Sequence, residues 1–154
     1  MKKHVRKLAL AGMAAALTLG GIAAGMAAMD DPVKQRRELM KHNKEMFVPL
    51  VKMVKGAQPF DAATVKKNAE AIAADLEKAS KLFPEGTDKG DTRAKPEIWL
   101  LEDEFQQLFR TAIEKAKALA RVQKPEELAP AVMALGGKGC KACHEKFRAS
   151  KKKM

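Results

Sequence analysis

The chain has no tyrosine, one tryptophan and six phenylalanines, so aromatic residues make up only 5% of its 154 positions. No stretch of four to eight residues is rich in β-branched or aromatic side chains, which argues against a β-sandwich or barrel. Aromatic and basic side chains do not interleave to make a surface on which bases could stack, so nucleic acid is not an expected partner. There are only two cysteines, Cys140 and Cys143, and so close a pair cannot staple distant parts of the chain. Acidic residues are in deficit. Nineteen Asp and Glu stand against thirty Lys and Arg, a formal charge of +11.

What is present is a helical composition. Hydrophobic residues reach 46%, enough for a core, and Ala, Lys, Glu, Leu and Met dominate. The first residues form a separate unit. Lys2, Lys3, Arg6 and Lys7 precede an apolar run from Leu8 to about Ala24, and small residues lead into Gly25-Met26-Ala27. This is the pattern of a secretory signal peptide, with cleavage expected after Ala27. The alternative is a retained membrane anchor. The run between Lys7 and Gly25 is short and glycine-broken for a span, so no stable anchor is expected. The chain therefore divides into a leader, 1–27, and one domain, 28–154. Losing the leader lowers the formal charge to +7. A basic exported protein suits an anionic membrane surface or acidic proteins.

Four helical segments follow. The first runs from about Asp31 to Lys55, with Asp31 as cap and Pro32 in the first turn. Val33, Arg36, Met40, Phe47, Val51 and Val54 fall within about 40° of Met40, and Leu50 and Asn43 border that stripe. Pro49 is expected to kink the segment and Gly56 to end it. The second, from Asp61 to about Lys81, repeats Val65, Ala69, Ile72, Leu76 and Ala79 on one face. Residues 85–95 read as the one long loop. The third opens at Pro96 with a stripe of Ile98, Leu101, Phe105, Leu108, Ala112, Ala116, Leu119 and Val122. The fourth opens at Pro125 and carries Leu128, Val132, Leu135, Gly139, Cys143 and Phe147. Four such helices, mostly joined by short connections, predict an all-α, antiparallel four-helix bundle.

The chemistry lies at Cys140-Lys141-Ala142-Cys143-His144. C-x-x-C-H is the signature for covalent attachment of c-type haem. Two sulfurs three positions apart share a helix face and can each form a thioether to one porphyrin. His144, four positions from the first cysteine, then reaches the iron as an axial ligand. A thioredoxin-like C-x-x-C needs a βαβ setting, and none is visible. A zinc site needs about four ligands, and His42 is far away in sequence. One haem c per chain is therefore expected near the C-terminus. No general acid–base constellation accompanies it, so enzymatic turnover is not expected.

The strings Arg36-x-x-x-Met40-Lys41, Val48-Pro49, Pro59-Phe60-Asp61, Leu82-Phe83-Pro84, Lys95-Pro96-Glu97-Ile98-Trp99 and Gly139 to Arg148, taken together, resemble the cytochrome c′ superfamily. The resemblance spans about residues 31–150 and places the haem motif on the last helix rather than near the N-terminus. It implies that the residue at Met40 faces the iron opposite His144. In one branch that residue only shields a five-coordinate iron; in the low-spin branch a methionine ligates. The Pro59-Phe60-Asp61 and Leu82 to Trp99 strings are more similar to the low-spin branch, which implies Met40 as the second axial ligand. The resemblance also implies a propionate contact for Arg36 and proximal haem surroundings for Phe147 and Arg148. His42 lies about 200° round the helix from Met40 and is expected at the surface.

The leading expectation is an exported, periplasmic electron carrier. Lys138, Lys141, Lys146 and Arg148 would steer acidic redox partner proteins. If Met40 does not ligate, the open iron face takes nitric oxide or carbon monoxide instead. A different class, a non-haem, metal-responsive helical module, would leave Cys140 and Cys143 as free thiols. Bundles of this kind often pair, so a homodimer is a further expectation by analogy.

Overall fold

Asp31 opens the first helix. Its carboxylate accepts from the Val33 amide at 2.9 Å, and Pro32 needs no partner in the first turn. The computed structural model describes residues 31–150, so the expected signal peptide and the Lys151–Lys153 tail lie outside the described residues. α1 spans Pro32–Val54 and runs through Pro49. Gly56, at φ +70°, turns the chain where a side chain would be strained. Asp61 then caps α2, Ala62–Ala79, by accepting from the Ala63 and Thr64 amides.

Every residue of the expected α2 stripe is buried: Val65, Ala69, Ile72, Leu76 and Ala79. In α1 the buried apolar residue is Leu50, which borders the expected stripe, whereas Val54 is exposed. After α2 a long loop carries two more positive-φ glycines, Gly86 and Gly90.

The third segment is not one helix. α3, Glu97–Leu100, stops at Leu101, whose φ and ψ of −128° and 47° are not helical, and α4, Glu102–Leu119, starts afresh with three acids in its first turn. Leu101, expected on the core stripe, is therefore exposed, and Phe109 is buried instead. Trp99 fixes α3 to the end of the α2 segment, because its indole N–H donates to the Phe83 and Pro84 carbonyls at 3.0 and 3.2 Å.

The fourth segment is continuous but irregular. α5, Pro125–Met133, passes into a π-helical stretch, Ala134–Lys141, and then into α6, Ala142–Phe147. Gly136, Gly137 and Gly139 lie in that stretch. Residues with low helical propensity make the wider turn cheaper, and such turns gather at functional sites. A Cβ on Gly139 would meet the Ala112 Cα and Leu135 Cδ1 at 3.2 Å, so the absence of a side chain lets the stretch lie against α4.

Packing runs from α1 to α2, from α2 to α4, and from α4 to the π-helical stretch, α5 and α6, with α1 closing on α5. The result is the expected all-α four-helix bundle. Among the described residues the only β feature is an isolated antiparallel bridge between Ala94 and Arg148. No helix among the described residues is long and apolar enough to cross a membrane.

Candidate haem-binding cleft

The π-helical stretch and α6 present Cys140, Cys143 and His144 to one cleft between α1 and α4. The cleft has two lobes, of about 490 and 700 Å³, within the size range of small-molecule and cofactor sites. Met40, Arg93, Phe109, Cys143, His144 and Arg148 line both lobes, while Cys140 lines the smaller one. Ile72, Leu76, Leu108 and Ala112 wall the smaller lobe, and Phe83, Ile98, Phe105 and Phe147 wall the larger. Phe147 is 2% exposed and meets Phe105 edge-on with ring centroids 5.2 Å apart, so it is both core and cleft wall.

The electrostatics of the motif suit a metal ligand. Burial holds the His144 imidazole down to about 4, and the charges of Arg148 and Arg93 push the same way. The ring is therefore neutral at neutral pH, with a nitrogen lone pair available to iron. Burial pushes the Cys143 thiol up to about 11, reinforced by Cys140, whose own thiol burial also raises. The two cysteines are not joined to each other. Among the described residues no three His, Cys, Asp or Glu side chains gather as a metal cluster.

Met40 is half-buried on the α1 wall of both lobes. His42 is turned away. It is half exposed, and its Nδ1 lies 2.6 Å from Oδ2 of buried Asp75 on α2. The surface position is as expected, but the tie to a buried carboxylate was not legible in the spacing.

Arg36 lines the larger lobe and is bonded to the long loop. It is 4% exposed, and its two terminal nitrogens donate to the Leu82 and Thr87 carbonyls and to the Thr87 and Thr92 hydroxyls. Its guanidinium also lies 4.6 Å from the Phe83 ring centroid. A planar fork with several donors is better satisfied by a loop of carbonyls and hydroxyls, and Arg36 fastens that loop as one wall of the cleft.

The loop in turn supplies a residue that helical periodicity missed. Ala149 N donates to Arg93 O at 2.8 Å and Lys95 N to Phe147 O at 3.1 Å, which brings Arg93 beside Arg148 and His144. The only signal was a cation in the long loop just before the Lys95-Pro96 helix start. The basic cluster is also redistributed. Lys146 is held by Glu104 at 2.5 Å and Lys141 by Glu145 at 3.4 Å, whereas Lys41, Lys44, Arg93 and Arg148 line the smaller lobe with no acidic side chain among them.

These residues fit a haem. The cleft offers two half-buried thiols, a neutral imidazole, a largely apolar interior and cations for two propionates. An orphaned amide, Asn43, also lies on its wall. The family model described as Cytochrome C′ matches residues 31–148. The chain belongs to the cytochrome c′ family. Cytochrome c′ of Rhodopseudomonas palustris is 37% identical over 147 residues, covering 94% of this chain and 99% of the relative. The solved cytochrome c′ from Rhodopseudomonas palustris superposes with a TM-score of 0.74 at 36% identity, over 79% of this chain and 98% of that one. A nitric oxide complex of a point variant of cytochrome c prime from Alcaligenes xylosoxidans matches with a TM-score of 0.71 at 31% identity, over 79% and 95% of the two chains.

Membership of the cytochrome c′ family makes haem c, one per chain and covalently attached, the cofactor of this cleft. It replaces the non-haem, metal-responsive alternative. The match reaches the cytochrome c′ family and not a Met/His-ligated, low-spin subgroup within it.

Proposed function

We propose that the chain is an exported, periplasmic haem c protein that binds a small diatomic gas, nitric oxide or carbon monoxide, on the face opposite His144. The haem supplies an iron that can change oxidation state and accept a small ligand. Cys140 and Cys143 would hold it through thioethers, neutral His144 would supply the iron with a nitrogen ligand, and Met40 would shield the iron without ligating it. The observation that carries this reading is the apolar enclosure around Met40. Phe47 of α1, Ile72 and Leu76 of α2, and Leu108, Phe109 and Ala112 of α4 wall the smaller lobe, while His42, the α1 nitrogen donor, is held outside by Asp75. The nitric oxide complex of a relative supports the same reading.

The second reading is electron carriage with Met40 as sixth ligand. It is favoured by the thioether's place on both lobes with His144. In that case Lys41, Lys44, Arg93 and Arg148 would face acidic redox partners. Neither reading requires enzymatic turnover, and a homodimer is compatible with both.

Carbon monoxide binding to the ferrous protein separates them. Under the gas-binding reading the parent binds carbon monoxide readily, and Met40→Ala speeds binding by opening the lid. Ligation by Met40 would instead leave the parent slow or unreactive, and Met40→Ala would convert a low-spin iron to a high-spin or water-ligated one.

A further inference from the structure

Asn43 lies three positions after Met40, one turn on and on the same side of α1. It lines the smaller lobe together with Met40, Cys140, Cys143 and His144. Its Nδ2 and Oδ1 are buried and have no hydrogen-bond partner, the only side-chain atoms among the described residues in that condition. The other buried polar side chains are satisfied. Asn68 donates to Met46 O at 3.0 Å, Asp75 meets His42, and Arg36 has its four acceptors. A buried amide without a partner is costly where a leucine of similar size would not be. Such a group on the wall of a binding cleft has a use that packing does not explain.

Charge does not explain it either. Lys41, Lys44, Arg93 and Arg148 already line the smaller lobe, so the haem carboxylates have cationic partners there without a neutral amide. Besides Asn43, the α1 wall beside Met40 has only Lys41 and Lys44 as polar groups in that lobe, and both are exposed.

We propose that Asn43 is a ligand-binding residue whose Nδ2 donates a hydrogen bond to a diatomic gas held beside Met40. The donor favours a gas whose outer atom carries partial negative charge, nitric oxide over carbon monoxide. The proposal rests on the gas-binding reading.

The test compares the holoprotein with Asn43→Leu, which removes the amide while keeping the side chain's branching and heavy-atom count. Loss of one hydrogen bond is expected to speed nitric oxide dissociation roughly fivefold, with a smaller effect on carbon monoxide. The C–O stretch of the ferrous carbon monoxide complex should move to higher wavenumber as the donor is lost. The ligand-free variant should unfold at an equal or higher urea concentration, because an unpaired buried amide has gone. A lower urea midpoint with an unmoved C–O stretch and unchanged dissociation would make Asn43 structural and overturn the proposal. If Asn43→Leu does not fold, Asn43→Ala gives the same spectroscopic readout. If the parent binds no carbon monoxide because Met40 ligates, the gas-binding reading fails on its own. The comparison is then made between Met40→Ala and Met40→Ala with Asn43→Leu, where an unmoved stretch still refutes the hydrogen bond.

Discussion

Replacing Arg36 by Met tests how the cleft is built. The methionine keeps an apolar stem against Phe83 and removes four donated bonds, of 3.1 and 3.0 Å from Nη1 and 2.5 and 2.8 Å from Nη2. Hydrogen bonds from a charged group are worth about 1.5–3 kcal/mol each when fully buried. Leu82, Thr87 and Thr92 are only half-buried, so water recovers part of each acceptor's loss. About 3 kcal/mol is therefore expected for the whole fork, or a fall in Tm of about 10 °C. Arg36→Lys keeps the charge but not the fork and should recover less than half of the loss. The assay is thermal and urea unfolding of the holoprotein by circular dichroism, with amide exchange read across residues 85–94. Exchange there should rise, because Arg36 holds that loop. A loss below about 1 kcal/mol with loop protection unchanged would refute the reasoning. An altered haem spectrum alongside that result would return Arg36 to a propionate role.

Three further outcomes follow from the same geometry. Denaturing the protein in acid and organic solvent should leave haem on the chain, and replacing both Cys140 and Cys143 by Ala should leave little holoprotein; free extraction from the parent would contradict the thioether assignment. His42→Ala should leave the haem spectrum unchanged but lower the unfolding free energy by about 1–3 kcal/mol, because it strips buried Asp75 of its partner.

Helical periodicity was legible where one face packs against a single neighbour. Val65, Ala69, Ile72, Leu76 and Ala79 all reached the core because α2 is regular from cap to cap. It failed where the backbone leaves the 3.6-residue period. Leu101 lost the stripe because a non-helical residue separates α3 from α4. The 3.6-residue period predicts ordinary helix over the π-helical stretch at Ala134–Lys141, although three glycines, Gly136, Gly137 and Gly139, are weak helix formers. The haem motif needed no three-dimensional context, since Cys140, Cys143 and His144 carry their chemistry in their spacing. Arg93 did need it. A loop residue has no periodicity, and only the Ala94–Arg148 bridge brings it to the cleft. Asn43 and Arg36 sat on or beside the Met40 stripe, but hydrogen-bond satisfaction is a property of the folded environment. One side chain came out with four partners and the other with none.

The spin state of the purified protein, read from resonance Raman and optical spectra of both oxidation states, tests the central claim most directly. A five-coordinate, high-spin ferrous haem c with histidine as its axial ligand is the predicted result. A six-coordinate, low-spin spectrum in both states, turning high-spin only in Met40→Ala, would contradict the open distal face and make Met40 a ligand.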